Sequence, residues 1–201
     1  METVAKKKAG NVVVKLVGGD ITSYPADAIV NAANRYLEHG GGVAYVIAKA
    51  CAGDAQKYTG ISKEAVREQV GRDYIEHGEV VVTPAMRLEE RGIKYVIHTV
   101  GPVCSGRWGK TYGEKLKLAF LGPLKKAEEL GISSIAFPAI SAGIYGCPFE
   151  RVVETFVETV KEFSEMTVHL KEISLVVYEK ELIETAREII ERNLQPFSDS
   201  P

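Results

Sequence analysis

Two glycine-rich segments constrain the fold of this chain most strongly. Asn31–Asn34, with the sequence Asn-Ala-Ala-Asn, leads into Gly40–Val43, and Ser141–Gly146 follows about a hundred residues later. Each segment comes after a short apolar run and opens an apolar-periodic one, which indicates a turn from a strand into a helix. Such a turn leaves the first N–H groups of the helix unpaired, and glycines let an anion approach the main chain closely. The pair therefore predicts a clamp around phosphates.

Strand patterns and helix patterns alternate along the chain. Runs rich in Val and Ile, bounded by Gly or Pro, predict strands, and the segments between them have helical periodicity. The predicted strands are Asn11–Val17, Ala28–Asn31, Glu79–Thr83, Lys94–Val100, Ser134–Ile140 and Glu172–Tyr178, and the predicted helices are Val43–Ala52, Ser62–Gln69, Glu114–Leu130, Pro148–Phe163 and Leu182–Leu194. This order predicts an α/β protein, a three-layer α/β/α domain with a mixed, largely parallel central sheet of about six strands.

The length of 201 residues fits one domain, since domains commonly have about 100–200 residues. We expect a flexible N-terminus over residues 1–10, a single domain over 11–194 and a flexible tail over 195–201. In largely parallel sheets, the turns that leave the strands gather at one edge, and ligands bind there. The two glycine segments are therefore expected to face each other.

The charge balance and the apolar pattern argue against nucleic-acid and membrane partners. The net charge is −2, so the field of the whole molecule attracts neither nucleic acid nor an anionic membrane. No apolar stretch of about 18 residues occurs, and Lys6–Lys8 lacks the apolar segment of a secretory signal. We expect a cytoplasmic protein, with no membrane partner, that binds phosphate through local geometry.

The cysteines and histidines indicate neither a disulfide framework nor a metal site. Cys51, Cys104 and Cys147 are odd in number and far apart, without a Cys-x-x-Cys motif. The four histidines have no metal-ligand spacing. We therefore expect buried free thiols, structural or solvated histidines, and no metal or cofactor.

Motif spacing also argues against three familiar phosphate-binding or hydrolytic sites. Neither turn has the P-loop pattern Gly-x-x-x-x-Gly-Lys-Ser/Thr, and neither has the Gly-x-Gly-x-x-Gly spacing of a dinucleotide oxidoreductase. The sequence around Ser141 lacks the Gly-x-Ser-x-Gly of a serine hydrolase. Binding by main-chain amides is favoured over phosphoryl or hydride transfer.

Four polar or aromatic residues near the predicted edge narrow the ligand further. Asp20 would repel phosphate but could accept from the amine of an adenine; alternatively, it caps the turn at Ile21-Thr22. The amide of Asn34 suits sugar hydroxyls, although asparagine is also a common turn residue. Tyr145 and Tyr178 could stack on a base or a ribose, or could simply border the core.

Taken together, Gly19–Thr22, Asp27–Asn34, Gly40–Ala44 and Ser141–Gly146 resemble, in order and spacing, the motifs of the macro domain, a module that binds ADP-ribose. The resemblance covers about residues 11–194 and is especially close to archaeal single-domain members. It implies ADP-ribose and mono-ADP-ribosylated proteins as partners, and extends to the ends of poly(ADP-ribose).

The resemblance also implies roles for the site residues. Asp20 would accept from the adenine amino group, Ile21 would offer its main-chain amide, and Tyr178 would stack on the adenine. Asn34 would hold the distal ribose, which Tyr145 would flank. The diphosphate-binding residues would be Gly41, Gly42 and Val43 on one side and Ser141, Ala142, Gly143, Ile144 and Tyr145 on the other.

Three functions follow from the resemblance and the residues. The favoured one is a hydrolase that removes ADP-ribose from Asp or Glu esters, or acts on ADP-ribose 1″-phosphate. The best-known hydrolase branch has an Asp after its Gly-Gly-Gly-Val segment, where this chain has Ala44. Asn34 and Gly42 would then be the catalytic residues, holding a water that the diphosphate of the ligand activates. The alternatives are a non-catalytic reader and, disfavoured by the net charge, a nucleic-acid-binding protein.

Overall fold

The computed structural model describes residues 1–198 and shows one mixed sheet between two layers of helices. The strands are β1 (Glu2–Ala9), β2 (Val12–Gly18), β3 (Ala28–Ala33), β4 (Val81–Pro84), β5 (Tyr95–Val100), β6 (Ser134–Phe137), β7 (Glu172–Val177) and β8 (Gln195–Pro196). The helices are α1 (Gly42–Ala52), α2 (Ala55–Val70), α3 (Lys110–Leu130), α4 (Phe149–Ser164) and α5 (Lys180–Asn193). Two 3-10 helices cover Ile21–Ser23 and Met86–Arg91.

The centre of the sheet is parallel and its margins are antiparallel. The strand order is β4-β5-β3-β6-β7-β2-β1-β8. The pairs β5–β3, β3–β6, β6–β7 and β7–β2 are parallel, whereas β4 pairs antiparallel with β5, β1 with β2, and β8 with β1. The prediction of a mixed, largely parallel α/β sheet is confirmed, with eight strands in place of about six.

Both additional strands come from the chain ends, where we expected flexible segments. Glu2–Ala9 pairs along the whole length of β2, and Gln195–Pro196 pairs with Lys7 and Lys8. The buried residues of β1 are the small Ala5 and Ala9, and lysines occupy the positions between them. This weak apolar alternation conceals the strand in the sequence. The expected flexibility of residues 199–201 lies outside the described residues.

The helices cover the two faces of the sheet. Alternating side chains of β3 point to opposite sides, so that Val30 packs in the core beneath α3, α4 and α5, while Ile29 packs with the buried side of α1. Three phenylalanines lie at the centre of the first core, with ring centroids 5.6–5.8 Å apart: Phe120, Phe137 and Phe156. This rigid core holds the carboxyl ends of β5, β3, β6, β7 and β2 at one edge of the sheet.

Several element boundaries differ from those that the sequence predicts. Helix α2 begins at Ala55 rather than near Ser62, because the Asp54 side chain accepts hydrogen bonds from Gln56 N and Lys57 N and caps it. Strand β6 ends at Phe137, before Pro138, which makes the following turn longer than predicted. Pro148 is the N-cap of α4 and not its first helical residue.

The expectation of three free thiols is wrong for two of the cysteines. Cys104 and Cys147 form a disulfide across a sequence separation of 43 residues, with a Cα–Cα distance of 4.8 Å. The sequence conceals the pair because Cys104 lies in the loop after β5 and Cys147 in the turn after β6, which meet only in the folded sheet. Cys51 in α1 is free and buried, as expected.

None of the helices within residues 1–198 is long and apolar enough to cross a membrane.

Phe156→Ala is expected to lower the free energy of unfolding by about 3–5 kcal/mol, because it leaves a cavity between Phe120 and Phe137. Urea unfolding followed by circular dichroism measures this. Val168→Ala is the matched control, since Val168 is 70% exposed and its loss should cost less than about 0.5 kcal/mol. Equal effects of the two substitutions would contradict the assignment of Phe156 to the core.

Candidate functional site

The first glycine segment forms the exposed N-terminus of α1. Gly41 is the N-cap and makes no side-chain capping bond, and the first helical bond runs from Tyr45 N to Gly41 O at 3.2 Å. Within residues 1–198, the N–H groups of Gly42, Val43 and Ala44 therefore have no partner. Gly42 has φ = +60°, in the left-handed region that favours glycine. The positive end of the helix dipole and these donors together attract an anion.

The second segment forms a turn of its own, separate from the start of α4. It closes on itself through Gly146 N–H to Gly143 O at 2.9 Å and Cys147 N–H to Ser141 O at 2.9 Å. In the described part of the chain, four N–H groups of this turn have no acceptor: those of Ser141, Gly143, Ile144 and Tyr145. Successive free donors of this kind make a concave nest for an anion.

The amide of Ala142 does not belong to that set. Its N–H donates to Ala139 O at 3.1 Å and helps to close the turn. Ala142 therefore has no main-chain donor left for a ligand, which weighs against its place among the predicted binding residues. The sequence could not distinguish it from its neighbours, because the pairing depends on how the turn closes.

Ser141 is held in an unusual conformation at the start of this turn. Its φ is +64°, and its Oγ is buried without a partner among the described residues. A Cβ on Gly101 would lie 2.1 Å from this Oγ, so only glycine fits there. The end of β5 thus makes room for the turn after β6. Strained backbone and an unpaired buried polar atom occur together most often at functional sites.

The far end of the edge is formed by the residues that follow β2 and β7. Asp20 Oδ1 accepts from Thr22 N at 2.9 Å and from Thr22 Oγ1 at 2.8 Å, which caps the 3-10 helix Ile21–Ser23. The capping interpretation of Asp20 is therefore confirmed. Its second oxygen, Oδ2, makes no hydrogen bond to residues 1–198, and neither does the N–H of Ile21. One acceptor and one donor thus remain there for a ligand.

Tyr178 follows β7 directly, beside that pair, and is 74% exposed. The two strand ends are tied together by Gly19 N–H to Val177 O at 3.0 Å. An exposed aromatic ring at this place provides a flat surface for stacking.

Asn34 shapes the loop between β3 and the first glycine segment. Its Oδ1 accepts from Tyr36 N at 3.2 Å and Glu38 N at 3.0 Å, and its Nδ2 donates to Glu38 O at 3.0 Å. Both acceptor sites of the amide are then occupied, and one N–H of Nδ2 remains. Asn34 is therefore a turn residue and can still offer one donor, so the two alternatives for it are compatible.

The nearest cation in the sequence does not serve the clamp. The Arg35 guanidinium donates to Glu76 Oε1 at 2.6 Å and lies 5.1 Å from the ring centroid of Tyr74. It is paired with this carboxylate on the outer surface. The two glycine segments therefore present neutral donors, whose attraction for an anion comes from main-chain dipoles.

Strand order decides how these parts are arranged. Asn34 and the first glycine segment follow β3, the second segment follows β6, Tyr178 follows β7 and Asp20 follows β2, and these strands are consecutive neighbours. At about 4.8 Å per strand, the row from Asn34 to Asp20 spans about 14 Å. The row suits an elongated ligand with an amine-bearing base at one end, a diphosphate in the middle and a polyol at the other end.

A buried polar network lies beneath the first glycine segment. Its members are distant in sequence, so no local pattern predicts it. Asn31 Nδ2 lies 2.9 Å from His98 Nδ1, and His98 Nε2 lies 2.8 Å from Thr83 Oγ1. Thr83 Oγ1 lies 2.6 Å from the Tyr58 hydroxyl, which donates to Pro84 O at 2.9 Å. Because Tyr58 donates its one proton to Pro84 O, the Thr83 hydroxyl must donate to the Tyr58 oxygen. His98 Nε2 must then donate to Thr83 Oγ1, so His98 is neutral with its proton on Nε2.

His39 links that network to the glycines. Its ring is stacked on His98 at 5.3 Å between centroids, its Nε2 lies 2.9 Å from Ser62 Oγ, and its backbone N–H donates to Thr59 Oγ1 at 3.1 Å. Ser62 Oγ donates to Tyr58 O, so His39 Nε2 carries the proton. His39 is thus anchored to α2 directly before Gly40. In the sequence, the position of His39 directly before three consecutive glycines was the only indication of this anchoring role.

Burial controls the ionisation of these groups. It lowers the pKa of His39 from 6.5 to about 4, and burial together with the neighbouring His39 lowers the pKa of His98 well below 6.5. Burial also raises the pKa of Tyr145 above its ordinary value, so the phenol stays neutral beside the second segment. Among residues 1–198, no group of three His, Cys, Asp or Glu side chains is arranged to hold a metal ion.

Comparison with known proteins identifies the family. The family model described as "Macro domain" matches residues 30–156, which include both glycine segments. The chain belongs to the macro domain family. An "ADP-ribose glycohydrolase" of Archaeoglobus fulgidus is 66% identical to this macro domain over 194 residues, covering 96% of this chain and 100% of the relative. A protein of Pyrococcus furiosus is 65% identical over 177 residues, covering 88% of this chain and 97% of the relative.

Solved macro domain structures share the fold. A mutant of the Oceanobacillus iheyensis macrodomain with ADPR has a TM-score of 0.82 at 26% identity, over 94% of this chain and 97% of that one. The Trypanosoma brucei macrodomain in complex with ADP-ribose has a TM-score of 0.71 at 27% identity, over 87% of this chain and 68% of that one. The predicted macro domain fold is confirmed.

The histidine network predicts how the stability of this macro domain depends on pH. His39 is neutral when folded and gains a proton near pH 6.5 when unfolded, so the unfolded state binds more protons between about pH 4 and 6.5. The contribution of His39 to the free energy of unfolding is complete above pH 6.5 and declines as the pH falls toward 4. The lowering of its pKa from 6.5 to about 4 corresponds to a contribution of about 3 kcal/mol.

Urea unfolding between pH 4 and 8 measures this dependence, and His39→Gln should flatten part of the slope. His169→Gln is the control, because His169 is exposed and its replacement should change the slope less than His39→Gln does. If both variants keep the wild-type slope, His39 is not buried as a neutral group.

Proposed function

We propose that this macro domain binds ADP-ribose and hydrolyses ADP-ribosyl conjugates. The observation that carries the proposal is the pair of glycine segments with unpaired N–H groups. They lie between Asp20 Oδ2, which has no hydrogen bond to residues 1–198, and the remaining N–H of Asn34 Nδ2. The Archaeoglobus relative, named an ADP-ribose glycohydrolase, supports it. So do the Oceanobacillus and Trypanosoma macrodomains with bound ADPR and ADP-ribose.

The adenosine end of the ligand is assigned to the residues after β2 and β7. Asp20 Oδ2 accepts a hydrogen bond from the exocyclic amine of adenine, and the N–H of Ile21 donates a hydrogen bond to a ring nitrogen. Tyr178 stacks on the base, which its 74% exposure permits. A carboxylate discriminates here because it repels a base that presents a carbonyl oxygen at the same position.

The diphosphate is assigned to the gap between the glycine segments. Gly41, Gly42 and Val43 approach it from the α1 side, with the donors of Gly42 and Val43, and the turn Ser141–Tyr145 approaches from the other side with its free amides. Because the donors are fixed before binding, little reorganisation opposes the ligand.

The distal ribose is assigned to the β3 end of the row. Asn34 directs its remaining Nδ2 proton to a ribose hydroxyl, and Tyr145 borders the sugar as a neutral phenol. The anomeric carbon is accordingly assigned to a position next to Gly42. Asn34 and Gly42 then orient a water toward that carbon, while a diphosphate oxygen takes its proton. The bond from the anomeric carbon to the ester oxygen breaks, and the carboxylate leaves.

The conjugates assigned to the site are mono-ADP-ribosyl esters of Asp and Glu, with ADP-ribose 1″-phosphate and poly(ADP-ribose) ends as further ligands. Each presents the same nucleotide with a leaving group on the distal ribose. The residue after the first segment is Ala44, 7% exposed, so no carboxylate base stands there. We expect slow turnover, since a positioned base typically contributes about 10²–10⁴-fold.

Ala44 also favours a second candidate, a reader that binds ADP-ribosylated proteins without cleaving them. The two functions differ in product release: a hydrolase frees ADP-ribose over many turnovers, whereas a reader retains an intact conjugate.

We also propose that the protein is cytoplasmic. The Cys104–Cys147 disulfide weighs against it, except that intracellular proteins of hyperthermophilic archaea do contain disulfides. Fractionation of source cells would test the location.

Asp20→Ala is expected to weaken ADP-ribose binding by about 1.5–3 kcal/mol, because a charged hydrogen bond to adenine is lost. Asp20→Asn is the matched variant: its amide oxygen can still cap Thr22, but its NH2 group cannot accept from adenine. Calorimetry with ADP-ribose should show a loss for both variants. If Asn binds like the wild type and only Ala loses affinity, Asp20 acts through its cap alone.

Asn34→Ala is expected to lower kcat for a mono-ADP-ribosylated Glu substrate on the order of 10²-fold, because the ribose and water lose their alignment. Mass spectrometry of the released ADP-ribose measures this. Arg35→Ala is the control in the same loop, since Arg35 faces Glu76 and should leave kcat unchanged. Tight binding without any release by the wild-type protein would identify a reader.

A further inference from the structure

The Cys104–Cys147 disulfide lies directly behind the second glycine segment. Cys147 is the residue after Gly146, and Cys104 lies in the loop that leaves β5 at the same edge of the sheet. Both cysteines are almost completely buried, with exposures of 1% and 3%. The covalent bond therefore joins the base of the anion-binding turn to a neighbouring loop.

Main-chain hydrogen bonds make this contact continuous. Cys104 N and Ser105 N both donate to Tyr145 O, at 2.8 Å and 3.0 Å, and Gly106 N donates to Gly146 O at 2.8 Å. The backbones touch so closely that a Cβ on Gly146 would lie 3.1 Å from Gly106 N. The β5 loop thus holds the carbonyl groups of the same turn whose free N–H groups face the ligand site.

We infer that the Cys104–Cys147 disulfide positions the diphosphate-binding turn, and that its reduction lowers the affinity of the site for ADP-ribose. The inference rests on the proposed function and adds a form of regulation to the same site. A dithiol supplies the reductant: one thiolate attacks a cystine sulfur, the second thiol closes the oxidised dithiol, and two electrons and two protons pass to Cys104 and Cys147. The products are two cysteine thiols and a cyclic disulfide.

The expected effect is moderate because the hydrogen bonds remain after reduction. The disulfide closes a loop across 43 residues of sequence, and without it only the hydrogen bonds limit the movement of the turn away from the β5 loop. The ligand must then order the turn again, which costs affinity on the order of tenfold. Linkage requires the reciprocal effect: saturating ADP-ribose shifts the thiol–disulfide equilibrium toward the disulfide by the same factor.

Calorimetry with ADP-ribose on oxidised and dithiol-reduced protein tests the inference. Mass spectrometry after alkylation defines each state, since the oxidised protein has one free thiol, that of Cys51, and the reduced protein has three. We expect a dissociation constant about tenfold higher for the reduced protein and for the double variant Cys104→Ser with Cys147→Ser. Cys51→Ala is the control, because Cys51 is buried in α1; it should bind like the oxidised wild type and respond equally to reduction.

A second measurement separates positioning from general stabilisation. A purely structural disulfide raises the melting temperature but leaves the affinity of folded protein unchanged, and its reduction does not depend on ligand. Positioning requires that ADP-ribose make the wild-type disulfide harder to reduce in a dithiol titration. Equal affinity of the oxidised and reduced proteins, or a ligand-independent titration, would overturn the inference. Failure of the oxidised protein to bind ADP-ribose would overturn the proposed function and the inference together.

Discussion

The parallel pairing of β3, β6, β7 and β2 is the constraint on which the rest of the structure depends. Parallel strands end at the same edge, so the segments that leave them lie side by side however far apart they are in sequence. The consequence here is a row of unpaired main-chain donors bordered by Asp20 and Asn34. A change in strand order would scatter the same residues without altering any local structure.

The row is built from neutral groups, so the proposed diphosphate binding does not require a positive net charge. Each free N–H contributes a partial charge, and the fixed geometry adds them at one place. Arg35, the nearest cation in the sequence, is paired with Glu76 instead. Selectivity then comes from shape and from the two ends of the row, because any phosphate would satisfy the amides alone.

Two different supports keep the donors in place. The first glycine segment is anchored from below by His39 and the His98 network, in which burial keeps both histidine rings uncharged. The second segment is held from the side by the β5 loop and the Cys104–Cys147 disulfide. Both supports are part of the folded structure and keep the exposed, glycine-rich backbone in one conformation.

Local patterns in the sequence were sufficient for the α/β class, the main strands and helices, and the two glycine segments, since periodicity and glycine act within a few residues. They also indicated Asp20, Asn34 and Tyr178 as edge residues. The predictions that failed depended on distant partners: β1 is a strand because β2 is beside it, and Cys104 is oxidised because Cys147 is near. The buried histidines were missed for the same reason.

The amino-acid sequence was enough to establish where glycine permits unusual backbone conformations and which residues carry amide, carboxylate or aromatic groups, because these are properties of each residue and its immediate neighbours. The tertiary structure alone decided which of those groups meet. It assigned the Ala142 amide to the turn, left Asp20 Oδ2 unpaired, and placed His39 and the disulfide behind the glycines. Pairing of this kind depends on strand order and burial, which no short segment of the chain contains.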